Sequence, residues 1–180
     1  ALRISELRMK TGVANPEEPY LVMLETSPDD LESKMLLAQI YQRTERPALA
    51  IEQYRGIIAQ DADNAVALNN LAWIYFETGD EQAEATAAKA YAAAPENGAI
   101  VDTYGWILLA NGKTDEAVAV LREAVANSEE PGNAEIRFHL ASALVESGEV
   151  VEAKGVLEEL LDSDVDFESK QDAESMLKTL

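Results

Sequence analysis

The chain contains no cysteine. That excludes disulfides, thiolate metal sites and cysteine nucleophiles, and it leaves the redox compartment open. Histidine occurs once, at His139. A zinc site would need further ligands at suitable spacing, and none lies near it. Glycine (9) and proline (6) are scarce, while 47% of residues are hydrophobic, a balance that excludes a disordered chain. Aromatic residues make up 6%, and runs of β-branched residues are few. No apolar stretch approaches the roughly 18 residues needed to span a bilayer, so no direct membrane insertion by this segment is expected. No secretory signal opens the chain. Basic residues are also short, at 14 against 34 acids, for a net charge of −20. Such a surface repels phosphate backbones and anionic lipid, so nucleic acid is not an expected partner. Residues 134–180 carry twelve acids and four bases, which read either as a solvated face or as a dock for a basic partner.

Alanine, leucine and glutamate abound, and all three favour helix. A repeat organises them. Leu37-Ala38, Leu71-Ala72, Tyr104-Gly105 and Leu140-Ala141 recur at intervals of 34, 33 and 36 residues. A second small residue follows each, at Ala50, Ala83, Ala117 and Ala153. The turns between them read TERP, ETGD, ANGK and ESGE. Gly79, Gly112 and Gly148 suit the left-handed residue that ends a helix. Pro47 suits the opening of the next helix in the first turn. Antiparallel helices approach closely only where side chains are small. The alanines and Gly105 are therefore expected at helix crossings, with Tyr41, Tyr54, Tyr75, Leu108, Leu121, Leu144 and Leu157 filling the layer around them. Each helix pair buries one face alone and the rest by stacking on its neighbours.

This period and the pattern of Leu-Ala, Tyr, Gly, Ala and closing Pro-Glu-Asn resemble the tetratricopeptide repeat (TPR) over residues 31–167. The family's early tryptophan is replaced by Lys34, Leu68, Val101 and Arg137. The resemblance implies an all-α, right-handed superhelical solenoid of antiparallel helix pairs. Four complete repeats are expected at 31–64, 65–97, 98–133 and 134–167, the third lengthened by the loop NSEEPGN. Residues 1–30 read as a partial repeat whose second helix starts near Asn15-Pro16 and closes at Ser27-Pro28. Its expected apolar edge is Leu2, Leu7, Tyr20, Leu21 and Leu24. Residues 167–180, with Ala173, Met176, Leu177 and Leu180 recurring, read as a C-terminal capping helix.

The block NNLAWIYFETGD…AAPENGAIVDTYGWILLANGKTDEAVAVLREAV resembles the C-terminal repeats of bacterial TPR lipoproteins that accompany exosortase sorting of PEP-CTERM proteins. That resemblance implies the periplasm or cell envelope of a Gram-negative bacterium, with a lipid anchor ahead of residue 1. Without it, the chain reads as cytoplasmic. The sequence opens at Ala1 rather than Met and is read as part of a longer chain.

In the family, the first helix of each repeat lines a concave groove. The resemblance places Asn69, Asn70, Trp73 and Phe76 there from the second repeat, Asp102, Thr103, Trp106 and Leu109 from the third, and Phe138, His139, Ser142 and Val145 from the fourth. Met35, Gln39 and Gln42 hold the corresponding places in the first repeat. Trp73 and Trp106, 33 residues apart, form either an aromatic platform for a peptide or helix, or a packing element between repeats. Asn69 and Asn70 carry donor and acceptor for a peptide backbone, or simply make the helix surface polar. The lysines and arginine of the family's carboxylate clamp are missing: Met35, Gln39, Asn70, Ala99 and Thr103 stand in those places.

Nothing points to catalysis. His139 has Ser142 one helical turn away, but no orienting acid is evident from the sequence. The glycines sit in repeat turns and form no phosphate cradle. Stretches such as Glu158-Glu159 and residues 162–166 lack the ordered loop of a calcium hand. The expectation is a scaffold with a protein or peptide partner, no cofactor and no metal. The alternative is a structural module that forms homo-oligomers.

Overall fold

The computed structural model describes residues 15–128, 133–163 and 165–180, and among these it contains ten helices and no strand. They are α1 (Glu18–Thr26), α2 (Leu31–Arg43), α3 (Pro47–Ile58), α4 (Ala65–Thr78), α5 (Ala83–Ala93), α6 (Gly98–Ala110), α7 (Thr114–Ala126), α8 (Ala134–Ser147), α9 (Val150–Asp162) and α10 (Lys170–Thr179). Leu2, Leu7 and residues 129–132 of the long loop lie outside the described residues.

Short polar signals start the helices. Asp30, Asn64 and Asn97 precede α2, α4 and α6, and each side-chain oxygen accepts a backbone N–H of the first turn. This satisfies amides that have no partner inside the helix. Pro47 opens α3, where a missing N–H costs nothing. The ends share one device. The N–H of Arg46, Asp80, Lys113 and Glu149 donates to the carbonyl of Tyr41, Tyr75, Leu108 and Leu144, at 2.8–3.0 Å. That closure needs a left-handed residue just before the donor. Gly79, Gly112 and Gly148 supply it at φ of 70°, 74° and 83°. In the first turn Glu45 adopts it at φ 55°, so a turn without glycine takes the same shape.

Successive helices pack on one another from α1 to α10. The crossing residues expected from the repeat are buried: Ala38, Ala72 and Ala141 in the first helices, and Ala50, Ala117 and Ala153 in the second, are fully inaccessible, and Ala83 is 6% exposed. Gly105 shows why. A Cβ placed there would lie 2.7 Å from Leu121 Cγ and 2.9 Å from Leu121 Cδ2. Tyr54, Leu108, Leu121, Leu144 and Leu157 fill the surrounding layer and are buried.

The first helices also touch one another across repeats, α4 with α6 and α6 with α8. They form the tighter, inner layer of the solenoid. At the C-terminal end α10 lays Ala173, Met176, Leu177 and Leu180 against Phe138, Ala141, Leu157 and Leu160, and the Ser169 N–H is tied to Glu135 Oε1 at 2.8 Å. At the other end the expected apolar edge is corrected. Tyr20 is 2% exposed and belongs to the core, and Leu24 packs against it. These two are one helical turn apart and share the inward face. Leu21 is exposed as expected, and Val22 and Met23 join it at the surface. The helix itself begins at Glu18 rather than at Asn15-Pro16.

Two of the helical glycines give a paired prediction. Gly105→Ala should destabilise the fold by about 1–3 kcal/mol through overpacking on Leu121. Gly155→Ala in α9, where a Cβ meets nothing within 4 Å, should stabilise it by about 0.5–1 kcal/mol. Urea denaturation followed by circular dichroism reads both, and equal shifts of the midpoint would refute the crossing argument.

Candidate partner-binding groove

The inner layer brings the aromatic residues of α4 and α6 into line. Trp73 and Phe76 lie one turn apart on α4, with ring centroids 5.6 Å apart and planes tilted by 47°. Both are half-buried, and Phe76 also rests on the core. Trp106 on α6 is half-buried as well and stacks on the His139 ring of α8, centroid to centroid 4.1 Å at 26°. Each tryptophan thus buries part of its ring while leaving part accessible, so packing and recognition coexist.

His139 is fixed by a second contact. Its Nδ1 lies 2.8 and 3.0 Å from the two carboxylate oxygens of Asp102 on α6. A carboxylate only accepts, so Nδ1 carries the proton and Nε2 remains for another partner. The side chains of His139 and Asp102 are 16% and 13% exposed, enough to face a ligand and little enough to hold one geometry. The pair joins the third repeat to the fourth. It supplies the orienting acid that is not evident in the sequence, but no nucleophile accompanies it. The Ser142 hydroxyl donates to the Phe138 carbonyl at 2.9 Å, and the Thr103 hydroxyl to the Ala99 carbonyl at 3.1 Å.

The remaining candidates divide. Asn70 Nδ2 donates to the Tyr54 hydroxyl at 3.1 Å, and that hydroxyl donates to Gln42 Oε1 at 2.5 Å. Gln42, Tyr54 and Asn70 therefore brace α2, α3 and α4 against each other. Asn69 differs: its Oδ1 is buried and has no hydrogen-bond donor. An unpaired buried carbonyl is unfavourable. Thr103 is buried, with its hydroxyl returned to its own helix. Phe138 is buried in the cluster beneath α10. Phe138 clusters with Leu157 and Leu160 of α9 and Ala173 of α10, so burial takes both side chains out of the accessible surface. The accessible set is Asn69, Trp73, Phe76, Asp102, Trp106 and His139.

Among the described residues, no group of three or more histidine, aspartate and glutamate side chains is gathered as metal ligands would be. No helix among them is long and apolar enough to cross a membrane.

Comparison with known proteins agrees with this architecture. Tetratricopeptide-repeat models match residues 35–99 and 108–177, two segments that together take in most of the chain. The cellulose synthase 1 operon protein C of Komagataeibacter xylinus is 32% identical over 141 residues, 76% of this chain and 10% of that protein. A TPR repeat-containing protein of Pseudomonas aeruginosa is 31% identical over 104 residues, 57% of this chain and 18% of that one. The chain thus spans about a tenth to a fifth of the length of these relatives. Among solved structures, Pseudomonas aeruginosa pilF superposes with a TM-score of 0.77 at 22% identity, covering 93% of this chain and 76% of that one. YrrB, described as a TPR protein with an unusual peptide-binding site, gives 0.71 at 21%, covering 82% and 76%. At these identities the structures speak for the fold alone.

Burial pushes the Tyr54 hydroxyl up from 10.0 to about 12, against a smaller opposing effect of the Asn70 amide. The folded pKa lies above the unfolded one, so this contribution to stability is complete below pH 10 and is lost as pH rises towards 12. Tyr54→Phe should cost about 1 kcal/mol at neutral pH and flatten the alkaline loss between pH 10 and 12. Thermal melts across that range check it, and an unchanged alkaline slope would be the contrary result.

Proposed function

The chain belongs to the tetratricopeptide-repeat family, and on that premise we propose that it is a non-catalytic scaffold that holds an extended peptide or a helix against the inner layer. One observation carries this reading: Trp73 and Trp106, at equivalent places in adjacent repeats, both stay partly exposed along the same layer. Tryptophan concentrates binding energy because it offers a large rigid surface at small entropic cost. Asn69, with its unpaired carbonyl, and His139, oriented by Asp102, add polar groups beside that platform. Partners of TPR proteins are generally proteins or peptides. The acidic surface disfavours nucleic acid.

The relative named for a cellulose synthase operon supports placing the scaffold beside an envelope assembly or export system. The finer reading, an exosortase-associated lipoprotein, draws no support from that name and rests on the sequence block of the second and third repeats alone.

The groove reading predicts that Trp73→Ala and Trp106→Ala, made in the full-length parent protein, each weaken partner capture by about tenfold or more while leaving the circular dichroism spectrum unchanged. Intact capture by both variants would remove the groove from consideration. The self-assembling alternative has its own motive in the exposed Leu21, Val22 and Met23 of α1. It predicts association at high concentration that Val22→Glu abolishes, and a monomer by light scattering at every concentration would exclude it.

A further inference from the structure

The face turned away from the groove holds a recess of about 310 Å³ between α3 and α5, with α4 as its floor. Ile58, Leu68 and Leu71 make the floor apolar, and Arg55 and Lys89 stand at the rim. Among the described residues no carboxylate forms an ion pair with either cation. By contrast, Arg46 holds Glu17, Lys113 holds Glu84, Arg122 holds Glu149 and Glu152, and Arg137 holds Glu159. Two cations of a chain with 34 acids to 14 bases thus share one recess with no acid between them.

The repeat register shows what is missing. Lys89 lies six residues after the crossing residue Ala83, and the same place after Ala117 and Ala153 is Glu123 and Glu159. In those repeats the acid finds a partner within the fold: Tyr91 donates to Glu123 at 2.8 Å, and Arg137 pairs with Glu159 at 2.9 Å. In the second repeat a cation stands there, and in the first the place is taken by Gly56. Two acids of the adjoining stretch are engaged elsewhere. Asp80 accepts from the backbone and side-chain amides of Gln82, and Glu84 from Lys113 and Asn111.

Arg55 is also held in place. Its Nε donates to the Tyr75 hydroxyl at 2.9 Å, and its guanidinium carbon lies 5.7 Å from the Tyr75 ring centroid. The terminal nitrogens stay available, and a guanidinium fork with a fixed stem loses little entropy on taking a carboxylate.

We propose that this recess binds an acidic peptide segment of a protein partner. One aspartate or glutamate side chain sits on the Arg55 fork beside Lys89, and a neighbouring apolar residue lies on Ile58, Leu68 and Leu71. A long polyanion is disfavoured by the net charge of −20, whereas a single carboxylate among apolar residues fits two cations over an apolar floor. The site is independent of the groove, so the two readings stand or fall separately.

The probe is an end-blocked, fluorescein-labelled peptide with Leu-Glu-Leu at its centre, titrated with the chain at low salt and followed by anisotropy. The peptide with Leu-Gln-Leu is expected to bind at least about tenfold more weakly. The double variant Arg55→Gln/Lys89→Gln should lose affinity by a similar factor. Lys89→Glu, which restores the acid found in the later repeats, should abolish binding with an unchanged circular dichroism spectrum. Trp73→Ala/Trp106→Ala should bind as well as the parent. Equal binding of the neutral peptide, unaltered binding by the double variant, or no binding of the acidic peptide would each overturn the proposal. Self-association lost in Lys89→Glu without peptide binding would assign the recess to a second copy of the chain, and would overturn it too.

Discussion

Two helices lie only as close as the side chains at their crossing permit, and everything in this solenoid follows from making those side chains small. At Gly105 the limit is reached: the Leu121 side chain occupies the space a methyl group would need. The same contact recurs with alanine in the other three pairs. Close crossing lets the large residues on either side interdigitate, which turns a run of short amphipathic helices into a continuous core. No single pair could hold itself together, since most of its apolar surface is covered by the next one.

That constraint also decides where polar chemistry can sit. The first helices form the inner layer and touch across repeats, so their side chains meet partners one repeat away. The Asp102–His139 pair and the Trp106–His139 stack both arise in this manner, joining α6 to α8. The Gln42–Tyr54–Asn70 chain does the same between α2, α3 and α4. Polar groups in the groove are therefore partly engaged in holding the repeats in register, which keeps the aromatic surface rigid. A rigid surface favours binding because less freedom is lost when a partner arrives.

Charge is distributed by the same repeat logic. Basic side chains bridge helices by ion pairs, as Arg122 does from α7 to α9 and Arg137 from α8 to α9. Such exposed pairs add little stability each. Lys89 stands where Glu123 and Glu159 stand in the later repeats, and with Arg55 it gives the recess between α3 and α5 a local positive charge in an acidic chain.

The sequence by itself determined the helix pairs, the residues at each crossing, the turns and the capping helix. These depend on local periodicity and on residue size, and both recur visibly at intervals of 33–36 residues. It also placed Trp73 and Trp106 in equivalent positions. It did not show that Glu45 would adopt the left-handed conformation of the glycines, because closing the turn onto Tyr41 outweighs the side-chain preference. It did not separate Asn69, left with an unpaired carbonyl, from Asn70, engaged with Tyr54, since adjacent residues on a helix point 100° apart and only packing decides which finds a partner. Nor did it reveal that Thr103 and Phe138 turn inward while Asp102 meets His139, or that Arg55 and Lys89 share a recess. Those outcomes depend on the stacking of one repeat on the next, which no local pattern encodes and which only the tertiary structure decided.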